Sequence, residues 1–153
     1  MKDIRGMVID HTQAMADEMA GLIKSQVKSG TTPPPNAPST ISRKGHEKTL
    51  VDTGETSDSI LAKVIISPAT DEIVGEIGLP PGKVTEKWLY NEYGVPYSDS
   101  LDPVPGQRIP TRAAWRKTFD KNVEAVTAKH SAALLDDIVK NFRRVKITDR
   151  RLR

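Results

Sequence analysis

The sequence predicts an α+β fold in which a small antiparallel β-sheet packs against long N-terminal and C-terminal helices, with a long proline-rich arm. Three observations predict it. Apolar residues recur at three- and four-residue steps near both ends of the chain, two β-branched runs flank a turn in its middle, and prolines gather within residues 29–49. The 153 residues are most simply one domain, spanning 1–153.

The first long helix is predicted over residues 3–28. Gly30 lies just beyond it, and glycine commonly ends a helix because it tolerates a left-handed backbone. The helix is defined by an apolar stripe, which consists of Ile4, Met7, Val8, Met15, Met19, Leu22, Ile23 and Val27.

Residues 29–49 are predicted to form an extended arm or long loop. Small polar residues surround its prolines, and Ser39 is expected to cap a short helical turn over residues 39–44. A loop of this length in a small domain indicates either disorder or packing on a neighbouring subunit. We therefore expect the arm to be poorly ordered in an isolated subunit and ordered by a neighbour in an assembly. Its prolines are Pro33, Pro34, Pro35 and Pro38.

The middle of the chain predicts a helical turn followed by a β-hairpin. Asp52 or Thr53 is expected to cap the turn, which would carry residues 57–60. The alternating runs 61–67 and 72–79 predict the two strands, because turn residues separate them and two prolines close the second. In one register, Val64 and Ile66 share a face with Ile73, Gly75 and Ile77.

Two further helices are predicted towards the C-terminus. Thr85 is expected to cap a short helix over residues 86–93 that ends at Gly94. After a proline-containing loop, Thr111 is expected to cap one long helix, which the capping preference of residues 120–122 allows to break there. This helix is predicted to supply the second half of the core, with Trp115 buried against the hairpin. Its stripe consists of Trp115, Phe119, Val123, Val126, His130, Ala133, Leu134, Ile138 and Phe142.

The chain ends in a basic tail over residues 143–153, although residues 145–148 also allow a short final strand. The net charge of the whole chain is +3, so the tail concentrates positive charge that the body lacks. Such a tail contacts a phosphate backbone or an acidic protein surface, or it is a solvated, frayed end.

Residue types that would carry catalysis are missing or scattered. The chain has no cysteine, and its histidines, His11, His46 and His130, lack metal-motif spacing. No glycine-rich phosphate loop or converging carboxylate pair is present. We therefore expect no enzyme activity, no catalytic residue, no cofactor and no metal. No apolar run approaches the ~18 residues that a membrane span needs, so no membrane contact is expected either.

Four sequence blocks, taken in order, resemble the family of tailed-bacteriophage tail-completion and head-tail joining (neck) proteins. They are APSTISRKG (37–45), LVDTGETSDSI (50–60), YNEYG (90–94) and RIPTRAAWR (108–116). The resemblance extends over residues 37–120. The residues that match the pattern of the family are Asp52, Thr53, Gly54, Glu92, Tyr93, Gly94, Ile109, Pro110 and Arg112. Two alanines, Ala113 and Ala114, replace its usual Pro-Phe pair.

The resemblance implies a structural virion protein without enzyme activity, located at the head-tail junction and assembled in the bacterial host cytoplasm. It implies a homo-oligomeric ring, six-fold or twelve-fold, that contacts other neck and tail proteins while DNA passes through its lumen without sequence-specific binding. The matching Glu92 and Arg112 would form an ion pair within one subunit or between two. The expected contacts with partners are Arg43 and Lys44 of the arm and Tyr97, Asp99, Leu101, Asp102 and Val104 of the loop before the last helix.

Two other functions remain open. A small nucleic-acid-binding module would use Arg43, Lys44 and the arginines of the basic tail, and its affinity would fall steeply with salt as phosphate contacts are screened. A small hydrolase would need a converging titratable cluster, which the sequence does not offer.

Overall fold

The computed structural model describes residues 3–50, 54–93 and 112–149, and only the backbone of residues 86, 87 and 144–149. It has an α+β fold, as predicted, with a two-stranded antiparallel sheet in the described part of the chain. The elements are α1 (Ile4–Ser29), α2 (Pro38–Lys44), α3 (Glu55–Asp58), β1 (Leu61–Ile66), β2 (Ile73–Gly78), α4 (Lys83–Tyr93) and α5 (Ala114–Asp149).

Contacts within the chain group its residues into two compact units. The first unit combines Met1–Met19, Ala62–Ile77 and Asn122–Arg153, and the second combines Ala20–Leu61 and Gly78–Lys121. Helices α1 and α5 each contribute residues to both units. That residues 1–153 form one domain stays a prediction.

Helix α1 confirms the helix predicted at the N-terminus. Gly30 ends it with a left-handed backbone at φ 65°, and its N–H donates to the carbonyl of Val27 at 3.2 Å. This satisfies one of the carbonyls that a helix end leaves without a partner. Ile4 of the predicted stripe is exposed. The apolar side chains that α1 buries are Met7, Ala16, Met19, Ala20, Ile23 and Val27.

The hairpin of the first unit has the predicted register. The N–H of Ser67 donates to the carbonyl of Glu72 at 2.9 Å, and the Nζ of Lys63 lies 2.9 Å from an oxygen of Glu76. Both contacts place Val64 opposite Gly75 across the ladder. One face thus carries Ala62, Val64, Ile66, Ile73, Gly75 and Ile77.

Gly75 lets the hairpin approach α1 closely. A Cβ at this position would lie 3.3 Å from the Cβ of Ala16 and 3.5 Å from the carbonyl oxygen of Thr12. The amide of Gln13 also reaches the carbonyl oxygen of Ala62 at 3.5 Å. A strand residue without a side chain is what allows this backbone approach.

Helix α5 is continuous, which confirms the expected long helix and shows neither the break that residues 120–122 allow nor the strand that residues 145–148 allow. The capping preference of Asp and Asn costs only ~0.7 kcal/mol or less per helical residue, which neighbouring helix-forming residues outweigh. The predicted stripe is only partly core. Val126 is buried, whereas Phe119 and Phe142 are 38% and 59% exposed.

Two histidine-carboxylate contacts join α1 to α5 in the first unit. The Nε2 of His11 lies 3.2 Å from an oxygen of Asp137, and the Nε2 of His130 lies 2.9 Å from an oxygen of Glu18. The Nζ of Lys129 donates to that same oxygen at 2.7 Å. Hydrogen bonds from Lys129 and then His130 hold the pKa of the Glu18 carboxyl below its ordinary value. Both histidines thus have an acidic partner that their positions in the sequence did not suggest.

Candidate functional site at the Arg112 junction

The matching residues Glu92 and Arg112 lie in a polar cluster of the second unit, and both are less than 10% exposed. We call this cluster the Arg112 junction. It comprises Pro34 and Asn36 of the 30–49 loop, Asn91 and Glu92 at the end of α4, and Arg112 before α5.

Arg112 connects the 30–49 loop to α4. Its Nε donates to the carbonyl of Pro34 at 3.1 Å, its Nη1 to the side-chain oxygen of Asn91 at 3.1 Å, and its Nη2 to that of Asn36 at 3.3 Å. All three acceptors are neutral. Burial lowers the pKa of the guanidinium, but an arginine remains protonated in proteins. One buried cation therefore holds two segments through hydrogen bonds alone.

Glu92 caps helix α5 from the end of α4. Its Oε1 accepts the backbone N–H of Arg116 at 2.9 Å and its Oε2 accepts that of Trp115 at 3.2 Å. The first amides of a helix have no partner within the helix and form the positive end of its dipole, so they attract a carboxylate. Glu92 and Arg112 therefore do not form the predicted ion pair within one subunit, because each engages backbone or amide groups instead.

The junction also holds the end of α4 next to the start of α5. The backbone N–H of Arg112 donates to the carbonyl of Asn91 at 2.6 Å. This bond and the Glu92 cap therefore join two described elements that are far apart in the sequence.

Of the two forms predicted for residues 29–49, an extended arm or a long loop, the structure has the loop, which is closed at its ends. The N–H of Thr49 donates to the carbonyl of Gly30 at 2.9 Å, and its hydroxyl lies 2.8 Å from the carbonyl oxygen of Thr32. The amide of Asn36 donates to the carbonyl of Lys48 at 2.9 Å. Since Thr32 and Thr49 are buried, these hydrogen bonds tie the two ends of the loop together and satisfy polar groups that water does not reach.

Caps at three helices differ from those predicted. The N-cap of α2 is Ala37 with Pro38 in the first turn, not Ser39, because proline is preorganised for that position. The N-cap of α3 is Gly54 at φ 81°, a conformation that favours glycine, rather than the side chain of Asp52 or Thr53. Helix α4 begins at Lys83, so Thr85 lies inside it.

Two tryptophans pack beside the junction. Trp88 of α4 is buried, and its ring centroid lies 5.9 Å from that of Trp115 at an interplanar angle of 60°. Tilted packing at this distance is favourable for aromatic pairs. Trp115 was predicted to pack on the hairpin, and in the second unit its aromatic contact is Trp88.

The remaining predicted site residues do not join this cluster. Arg43 is exposed and Lys44 half-buried at the end of α2, and Tyr93 is exposed. Sequence reasoning missed the acceptors Pro34, Asn36 and Asn91. The predicted residues Asp52, Thr53, Gly94, Tyr97, Asp99, Leu101, Asp102, Val104, Ile109 and Pro110, and the part of the basic tail from residue 150 onward, lie outside the described residues.

The Arg112 junction is suited to holding segments in place. Arg112 donates to three acceptors within it, and the carboxylate of Glu92 accepts two backbone amides of α5. Among the described residues, no group of three or more His, Cys, Asp or Glu side chains is placed to hold a metal ion. Within the same residues, no helix has the length and apolarity that crossing a membrane requires.

Comparison with protein-family models, with curated proteins and with solved structures finds no match.

Proposed function

We propose that this chain is a structural virion protein of a tailed bacteriophage, a tail-completion or head-tail joining (neck) component without enzyme activity. The order of the four sequence blocks supports this proposal. The Arg112 junction supports it further, because two residues of those blocks, Glu92 and Arg112, act as connectors between backbone segments rather than as reactive groups.

The observation that carries the proposal is the clamp between the end of α4 and the start of α5. The hydrogen bond from Arg112 to the carbonyl of Asn91, together with the Glu92 cap on α5, holds together the described residues on either side of residues 94–111 in the sequence. Segments presented from a fixed base are where proteins commonly place their binding residues. The segment carries Tyr97, Asp99, Leu101, Asp102 and Val104, a mixture of apolar and acidic residues suited to docking on another protein.

In this proposal the chain forms or joins a six-fold or twelve-fold ring at the head-tail junction after synthesis in the bacterial cytoplasm. A ring requires a heterologous contact, in which two different surfaces of each copy meet. Residues 94–111 would supply one surface and the loop carrying Arg43 and Lys44 the other. Other neck and tail proteins would bind the completed ring, and DNA would pass through its lumen without sequence-specific contacts.

Complementation tests the proposal. A variant lacking residues 98–107 is supplied to a phage that lacks the gene, and joined particles are counted. We expect a folded protein, as judged by circular dichroism, together with free filled heads beside free tails. The matched control replaces the exposed hairpin pair, Lys63→Gln with Glu76→Gln, and should yield normal particles. Normal infectivity of the deletion variant would remove residues 98–107 from the joining contact.

A nucleic-acid-binding module is the competing outcome. Binding to duplex DNA that weakens steeply with salt, and that is lost in Arg43→Ala, would favour that module over a neck protein.

A further inference from the structure

One face of helix α5 is apolar and uncovered in the first unit. Leu135, Val139 and Phe142 are 63%, 45% and 59% exposed, and their spacing of four and three residues aligns them along the helix. We call these three residues the α5 stripe. Asp137 contacts His11 of α1. It lies two residues from both Leu135 and Val139, so its side chain leaves the helix about 160° away from theirs around the helix axis. The α5 stripe therefore points away from α1.

The charges beside the α5 stripe change sign along the helix. Asp136, Lys140 and Arg143 lie along one of its flanks and are exposed, with Asp136 pairing to Lys140 within the helix. The acidic residue is nearer the N-terminus and the basic residues nearer the C-terminus. An antiparallel copy of the same helix would reverse this order and bring opposite charges together.

We propose that the α5 stripe is the contact of a two-fold antiparallel pair with a second copy of this chain. A two-fold axis near Val139 brings Leu135 of each copy towards Phe142 of the other. The same axis brings Asp136 of each copy towards Arg143 of the other copy, so two such charge pairs form. A parallel pair would match the apolar residues as well, but it would set Asp136 against the opposite flank, where Ser131 and Ile138 offer no charge. The charge order therefore selects the antiparallel arrangement.

This contact is distinct from the ring proposed above. A two-fold contact uses the same patch on both copies and closes on itself, so it joins two subunits or two rings and does not extend a ring. Three apolar anchors make a small interface, and small interfaces belong to weak, concentration-dependent complexes.

Cysteine cross-linking tests the pair, because the chain contains no cysteine of its own. We expect Val139→Cys to form disulfide-linked dimers at least about tenfold faster under mild oxidation than a control, since the two-fold axis brings the two Cβ atoms within disulfide range. The control is Leu61→Cys on the hairpin, which is 58% exposed. Circular dichroism checks that both variants fold.

The direction of pairing is tested by mixing Leu135→Cys with Phe142→Cys, each carrying a different tag. An antiparallel pair gives mainly the mixed dimer. Dominant dimers of each variant with itself would overturn the antiparallel arrangement, and a Val139→Cys rate no higher than that of Leu61→Cys would overturn the pair altogether. A ring built only through other surfaces would leave the cross-linking rates of Val139→Cys and Leu61→Cys equal. The two-fold pair and the ring at the head-tail junction are therefore contradicted by different results.

Discussion

The carboxylate of Glu92 accepts the backbone N–H of Arg116 at 2.9 Å, so a residue of α4 caps the helix that follows it. The bond spans residues 94–111 and fixes the start of α5 relative to the end of α4. A side chain that caps a helix from a neighbouring element stabilises both elements. Its loss leaves the first amides of the helix without an acceptor and removes a contact between the two helices.

Removing the cap is expected to destabilise the protein. Glu92→Ala leaves the amides of Trp115 and Arg116 without their acceptor, and loss of an N-terminal cap costs about 0.5–2 kcal/mol. Glu92→Gln keeps one acceptor oxygen and should lose less. Urea unfolding gives both values, with Glu76→Gln on the exposed hairpin surface as the control. Equal stability of Glu92→Ala and the parent would show that the cap contributes nothing.

Replacing Arg112 is expected to loosen the 30–49 loop as well as lower stability. Arg112→Lys keeps the charge but cannot reach three acceptors in different directions, and a buried acceptor left without a partner costs about 1–3 kcal/mol. Hydrogen exchange should therefore speed up at the amide of Thr49, which donates within this loop.

The matched control for Arg112 is Arg43→Lys at an exposed position of α2. Unchanged exchange at Thr49 in Arg112→Lys, with the control also unchanged, would mean that the loop is held by its own hydrogen bonds and not by Arg112. The same experiment on the isolated protein tests the loop directly. Strong protection of Thr49 there would overturn the expectation that residues 29–49 become ordered only beside a neighbour.

A larger side chain at Gly75 is expected to push the hairpin away from α1. A Cβ added there would lie only 3.3 Å from the Cβ of Ala16. A larger side chain would overpack this contact, which typically costs about 1–3 kcal/mol. Gly75→Val should thus lower the melting temperature clearly. Gly78 has nothing within 4 Å of its Cβ position, so Gly78→Val is the control. Similar melting of the two variants would contradict close packing at Gly75.

The contribution of Glu18 to stability is expected to disappear in acid. Lys129 and His130 lower the pKa of its carboxyl from the ordinary 4.5 in the folded state. The depressed pKa means that stability is present above pH 4.5 and is lost as the pH falls through the folded value. The difference in unfolding free energy between the parent and Glu18→Gln should therefore shrink below pH 4.5. Glu124→Gln, exposed on α5, is the control, and a difference that stays constant down to pH 2 would refute the coupling.

Much of the fold follows from local patterns in the sequence. The periodic stripe of α1, the glycine that ends it and the alternating runs of β1 and β2 each depend on neighbouring residues, so they were predicted at nearly their observed bounds. The long helix α5 was expected too, and the capping preference of Asp120 and Asn122, which allowed a break, is too weak to interrupt a long run of helix formers.

The junction was harder to predict because its partners are distant and partly backbone. Nothing in the sequence marks the carbonyl of Pro34 as an acceptor for Arg112. Opposite charges suggested that Glu92 and Arg112 pair. The free amides of a helix end also attract a carboxylate, and here Glu92 binds them instead of Arg112. The sequence identified these two residues, but within one subunit each engages other groups instead of the other residue.

The two histidine-carboxylate contacts between α1 and α5 restrict how the helices can slide. His11 lies opposite Asp137, and Glu18 opposite His130, so along α1 the order is base then acid and along antiparallel α5 it is also base then acid. Sliding by seven residues in one direction would set His11 against His130. Sliding equally far the other way would set Glu18 against Asp137, two carboxylates in contact. Both slipped alignments lose their complementary pairs, so the charge order favours a single alignment of the two helices.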